Sequence, residues 1–164
     1  MELVVNGNTL LTYEFNGEQR KIKFSDLSQY WEYANEDDFE SGTVEENEDY
    51  IIGTMTTASG QVGIIYVWNK LENKLAHNSD GAFAVSAALA DNSVYLLCAI
   101  SSWGKKESFM VTKAPFGTMN PAEEGKNVAK DIEGIEWNGS LDDIKLSIDD
   151  SKVEIVCCGN KVVL

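Results

Sequence analysis

The 164-residue chain predicts a mainly β protein, an antiparallel sandwich or barrel-like meander of about ten short strands with one or two short helices. Three observations predict it. Short apolar or alternating segments recur along the chain, separated by turn signals such as Asn16-Gly17, Asp91-Asn92 and Gly159-Asn160. Two segments, Val62–Trp68 and Val94–Ile100, are apolar on both faces, as central strands covered on both sides are. No strand–helix–strand rhythm marks a parallel sheet, and no internal repeat marks a propeller or solenoid.

The elements follow in order. Glu2–Val5, Leu10–Phe15 and Glu18–Phe24 read as a strand meander. Asn16-Gly17 tolerates the positive φ angles of a type I′ turn. That turn pairs Leu11 with Ile22 and Thr9 with Phe24 on one face, and Leu10 with Lys23 and Thr12 with Lys21 on the other. Ser25-Asp26-Leu27 starts a short helix, with Leu27, Tyr30, Trp31 and Ala34 on one face. The acidic stretch from Asn35 to Asp49 reads as a long internal loop. Tyr50–Thr57 and Gln61–Trp68 flank Ala58-Ser59-Gly60 as a hairpin. Residues 82–90 are rich in alanine, but the Asn78–Gly81 turn before them and Asp91-Asn92 after them favour a strand over a helix.

Phe109–Thr112 is a strand after a polar Gly104–Glu107 turn. Asn120-Pro121 followed by Glu123 and Glu124 is a helix N-terminus signature, with Val128 and Ile132 on its apolar face. Ile144, Leu146 and Ile148, then Val153, Ile155 and Cys157, alternate with polar residues as half-buried strands do. Gly159-Asn160 serves as a hairpin loop before Lys161–Leu164.

With 43% hydrophobic and 24% charged residues, the composition is that of an ordinary globular chain. This length, and only two prolines, predict a single domain over 1–164. No apolar run reaches the ~18 residues that span a bilayer. Residues 1–8 carry neither a basic n-region nor an apolar h-region, so no cleaved signal peptide is expected. The three cysteines, Cys98, Cys157 and Cys158, form no disulfide framework. Reduced, buried, inert thiols and a cytoplasmic location are the expectation. Asn138-Gly139-Ser140 reads as a turn, not a glycosylation site.

The formal net charge is −14. Ten acids and no Lys or Arg occupy residues 24–69, and eight of those acids lie between Asn35 and Asp49. Nucleic acid is excluded as a partner, because phosphates require a basic stripe. Anionic membrane surfaces are disfavoured for the same reason.

Sites of catalysis are hard to find. The one histidine, His77, has no motif around it and reads as a surface or strand-end residue. Zinc spacings and glycine-rich phosphate cradles are absent, and no cofactor is expected. Glu36, Asp38 and Glu40 alternate, but an EF-hand counted from Glu36 puts Ser41 and Asn47 where Gly and Glu belong, so no metal site is assigned.

Three functions remain. The leading expectation is a non-enzymatic domain that binds another protein, a basic one, through the acidic loop. Its contact residues are Glu36, Asp37, Asp38, Phe39, Glu40, Glu45, Glu46, Glu48 and Asp49, with Phe39, Tyr33 and Tyr50 as apolar anchors. The alternative is a small-ligand or carbohydrate module with Trp103 or Trp137 stacking on the ligand. A second alternative is a hydrolase built on a carboxylate pair. With 27 acids in the chain, some pair at catalytic spacing arises by chance. The charged run could also be a solvated loop, or fold back on Lys105, Lys106 and Lys113.

Overall fold

The computed structural model describes residues 9–28, 39–57, 63–80, 84–102, 105–117, 126–130, 144–149 and 152–164. Within them lie thirteen strands and one short helix, arranged in four antiparallel sheets. The fold is mainly β and sandwich-like, and no described sheet closes into a barrel.

The first sheet is the hairpin β1 (Thr9–Phe15) and β2 (Glu18–Lys23). Asn16 and Gly17 take φ of 52° and 79°, the type I′ turn the sequence predicts. Leu11 pairs with Ile22 and Thr12 with Lys21 as expected. Beyond Leu11 the register shifts, so Thr9 faces Lys23 and the expected Thr9–Phe24 and Leu10–Lys23 pairs do not form. A bulge explains it: the extra residue lets Leu10 and Leu11, adjacent in sequence, both be buried. Phe24 opens helix α1 (Phe24–Ser28) instead. The Lys23 N–H donates to Asp26 Oδ2 at 3.0 Å, half of a capping box. The expected helical positions Tyr30, Trp31 and Ala34 lie outside the described residues, as does Glu2–Val5.

The second sheet has the order β3-β4-β5-β6, with β3 (Phe39–Glu46), β4 (Tyr50–Thr57), β5 (Gly63–Asn69) and β6 (Lys74–Asp80). The third has the order β10-β9-β8-β7, with β7 (Ala84–Ala90), β8 (Ser93–Ser102), β9 (Lys105–Pro115) and β10 (Lys126–Lys130). The fourth is β11 (Ile144–Asp149), β12 (Lys152–Cys157) and β13 (Asn160–Val163).

These sheets stack in layers, which explains why some strands are apolar on both faces. Ile64, Tyr66 and Trp68 of β5, with Ile51 and Met55 of β4, pack under β1, β2 and α1. Ile65, Val67 and Ile52 point the other way and meet Ala84, Ala87, Val94, Leu96 and Cys98 of the third sheet. The opposite face of that sheet, Val85, Ala88, Tyr95, Leu97 and Val111, packs on Ile144, Leu146, Val153, Ile155 and Cys157 of the fourth. A period-2 strand thus serves two cores at once.

Several expectations are corrected. The acidic stretch is not a loop throughout, because Phe39–Glu46 is a strand paired with β4. An edge position suits it, since one side of the ladder can carry solvated charges. His77 and Asn78 lie inside β6 and are 1% and 2% exposed, and the expected turn from Asn78 is strand to Asp80. Lys105–Glu107 belongs to β9, not to a turn. Residues 126–130 are not helical: they pair with Met110–Lys113 of β9, which gives that strand its second neighbour. The last hairpin turns at Cys158-Gly159, with φ of 48° and 83°, one residue earlier than expected. Cys157 then pairs with Asn160.

Candidate functional site

The described part of the acidic region is the strand β3 and the turn after it. Glu45 and Glu46 end the strand and are exposed, and Glu48 and Asp49 are exposed in the turn. Asn47 shapes that turn. Its side-chain carbonyl Oδ1 accepts from the N–H groups of Asp49 at 3.0 Å and Tyr50 at 2.8 Å, and its own N–H donates to the Tyr50 carbonyl at 3.0 Å. The Lys70 N–H donates to the Asp49 carbonyl at 2.9 Å, so both neighbouring strands hold the turn. The carboxylates are therefore carried by a braced backbone.

Among the described residues, one cation answers them. Lys70 Nζ lies 3.8 Å from Glu46 Oε2, with the lysine side chain 9% exposed and the glutamate 47%. This is not one of the lysines the sequence suggested; Lys113 instead lies over the Tyr95 ring, 5.1 Å from its centroid.

Beside this strand is a groove of about 400 Å³. Glu45, Glu46 and Asn47 form one wall, and Lys145, Leu146, Ser147 and Ile148 of β11 form the other. Ile52 of β4 and Ala87, Ala88 and Leu89 of β7 make the floor. The Leu146 N–H donates to Ser86 Oγ at 3.0 Å and fixes the β11 wall against β7. Ile148 is 45% exposed, although its alternation with Ile144 and Leu146 predicted an inward face. Among the described strands, β3, β7 and β11 are each the end strand of their sheet. The groove therefore runs where three sheet edges meet.

Two of the three expected anchors are described, and both pack against other aromatic rings of the protein. Phe39 is 6% exposed and packs at 5.8 Å on Phe24 in the core. Tyr50 meets Phe116 edge-on at 5.3 Å. Ile148 and the half-buried Leu89 are the apolar groups beside the acids instead. Glu40 is part of the strand backbone. Glu36, Asp37, Asp38, Tyr33, Trp103 and Trp137 lie outside the described residues.

His77 is neither the surface nor the strand-end residue that the sequence predicts. Its Nδ1 accepts from the Gly117 N–H at 3.2 Å, and its ring stacks on Phe116 with centroids 6.3 Å apart. Burial pushes its pKa down to about 4. The accepting Nδ1 places the proton on Nε2, which has no partner among the described residues. An enclosed imidazole of this kind cannot reach a solvent-borne substrate. Asp149 and Glu154 lie 3.5 and 2.9 Å from the same Lys161 Nζ, so an ammonium sits between these two carboxylates. Among the described residues, no group of three or more His, Cys, Asp or Glu converges as a metal site would require. No helix among them is long and apolar enough to cross a membrane.

No protein-family model matches this chain, and no curated protein matches it in sequence.

Proposed function

We propose that the protein is a non-enzymatic binding domain for a basic partner protein, and that the groove between β3 and β11 receives an extended segment of that partner. The observation that carries this reading is the meeting of charge and apolar surface: Glu45 and Glu46 stand on the rim of a groove floored by Ile52, Ala87 and Leu89. Charge alone speeds encounter, whereas affinity needs a desolvated apolar contact. Glu48 and Asp49 extend the acidic face beyond the groove. An extended segment that alternates basic and apolar residues fits, because its lysines fall on one face and its apolar side chains on the other.

The reading includes one domain acting in a reducing compartment. Support for the first is that β4 and β5 contribute to two cores, and β7 and β8 likewise, so the layers are not separable. Support for the second is that Cys98, Cys157 and Cys158 are in no disulfide.

The test is fluorescence anisotropy with a labelled short peptide alternating Lys and Val, against one alternating Glu and Val. The Lys peptide binds, more weakly at high salt, and the Glu peptide does not. The double variant Glu45→Lys/Glu46→Lys weakens the Lys peptide about tenfold or more, and Glu14→Lys, an exposed acid on β1, leaves it unchanged. Equal binding of both peptides, or no effect of the double variant, overturns the reading.

A further inference from the structure

The two adjacent cysteines are not both buried, although the sequence suggests that they are. Cys157 ends β12 with no exposed surface, while Cys158 is exposed at the first position of the turn. In an extended strand, adjacent side chains point to opposite faces. Here the positive φ of Cys158, 48°, turns its side chain back, and the Cys157 thiol lies 3.8 Å from Cys158 Sγ, sulfur to sulfur. Two thiolates on one tetrahedral zinc, each at about 2.3 Å, are also about 3.8 Å apart. The turn therefore holds two sulfurs at the spacing of a single shared soft centre. With only two sulfurs, zinc's four positions would stay half filled. A centre that two sulfurs and a carbon satisfy is the better match.

We infer that Cys157 and Cys158 form a vicinal dithiol site that chelates trivalent arsenicals. The solvent-facing Cys158 makes the first bond, and the sulfur behind it closes the ring. With an organoarsenic(III) oxide, two As–S bonds form and the As=O bond breaks. The two thiol protons leave with that oxygen as one water, and no oxidation state changes. Cys98, 4% exposed in β8 and remote in sequence from this turn, takes no part.

The experiment is intact-protein mass spectrometry after treating the native chain with phenylarsine oxide, with peptide mapping and a thermal melt of the product. One arsenical adds per chain, mapped to residues 157–158. It survives excess 2-mercaptoethanol and is released by 2,3-dimercaptopropanol. The Cys158→Ser variant, altered only at an exposed turn position, loses this dithiol-specific adduct. The melting midpoint of the adduct equals or exceeds that of the free protein, as binding to a preformed site requires. No adduct on the native chain, an adduct retained in Cys158→Ser, release by the monothiol, or a lowered midpoint each overturns the inference.

Discussion

The ring of Tyr66 lies over the α-carbon of Gly53, its partner across the β4–β5 ladder. A Cβ built at Gly53 would stand inside the Tyr66 ring, against Cζ, Cε1 and the hydroxyl. Tyr66 has no exposed surface, so it has nowhere to move. The glycine is thus set by close approach of a neighbour and not by a turn. Gly53→Ala is expected to destabilise the fold by about 1–3 kcal/mol through overpacking. The double variant Gly53→Ala/Tyr66→Leu should recover part of that loss. Urea denaturation of both checks it, and an unchanged midpoint for Gly53→Ala contradicts it.

A second prediction concerns how the first hairpin is fastened to the sheet beneath. Trp68 Nε1–H donates to Tyr13 Oη at 3.0 Å, and the Tyr13 hydroxyl donates to Asn73 Oδ1 at 2.8 Å. Tyr13→Phe strands the buried indole N–H, a loss of roughly 1–3 kcal/mol. Trp68 fluorescence should shift as well, because the indole loses its acceptor. Full retention of stability would show that another group replaces the phenol.

His77 makes stability depend on pH. An unfolded histidine titrates near 6.5, and the folded one at about 4, because burial disfavours its charge. Above pH ~6.5 both states are neutral and the residue adds no slope. Between the two values the unfolded state holds the extra proton, so stability falls as pH falls. Below about 4 the folded ring is also charged and the slope ends. The total is at most about 3–3.5 kcal/mol, at about 1.4 kcal/mol per pH unit between the two values. His77→Gln should flatten this window specifically, as read from urea midpoints between the two limits. Parallel curves for the wild type and His77→Gln would refute the assignment.

Much of this fold is legible in the sequence. Asn16-Gly17 fixed the Leu11–Ile22 pair through the backbone demands of its turn, and Val94–Cys98 announced a strand with two buried faces. Other features depend on distant partners. The bulge at Leu10 forms because two consecutive leucines are both drawn into one core. β3 contains Glu, Gly and Ser, poor strand formers, and it is a strand because β4 offers an open ladder. The turn at Cys158 places a non-glycine residue at positive φ, which no local signal requires.

The site divides in the same way. Glu45, Glu46, Glu48 and Asp49 stood out as charge, whereas the burial of the aromatic candidate Phe39 did not. Phe39 looked available because its neighbours are acidic, yet it belongs to the core. The groove joins residues near 45–52, 87–89 and 145–148, a conjunction that only the stacking of three sheet edges creates. Ile148 carried a weak signal, as an isoleucine between a serine and an aspartate at the end of an alternating run.

If the acidic strand and the β11 wall form one binding groove, an NMR titration of the isotope-labelled protein with the Lys-Val peptide will map the peptide to both. Shifts are expected to concentrate at Glu45, Glu46, Ala87, Leu89, Lys145 and Ile148, with the Ile148 methyl groups among the largest. Shifts confined to another face, or scattered evenly over the acidic surface with the Ile148 methyls unmoved, would contradict it.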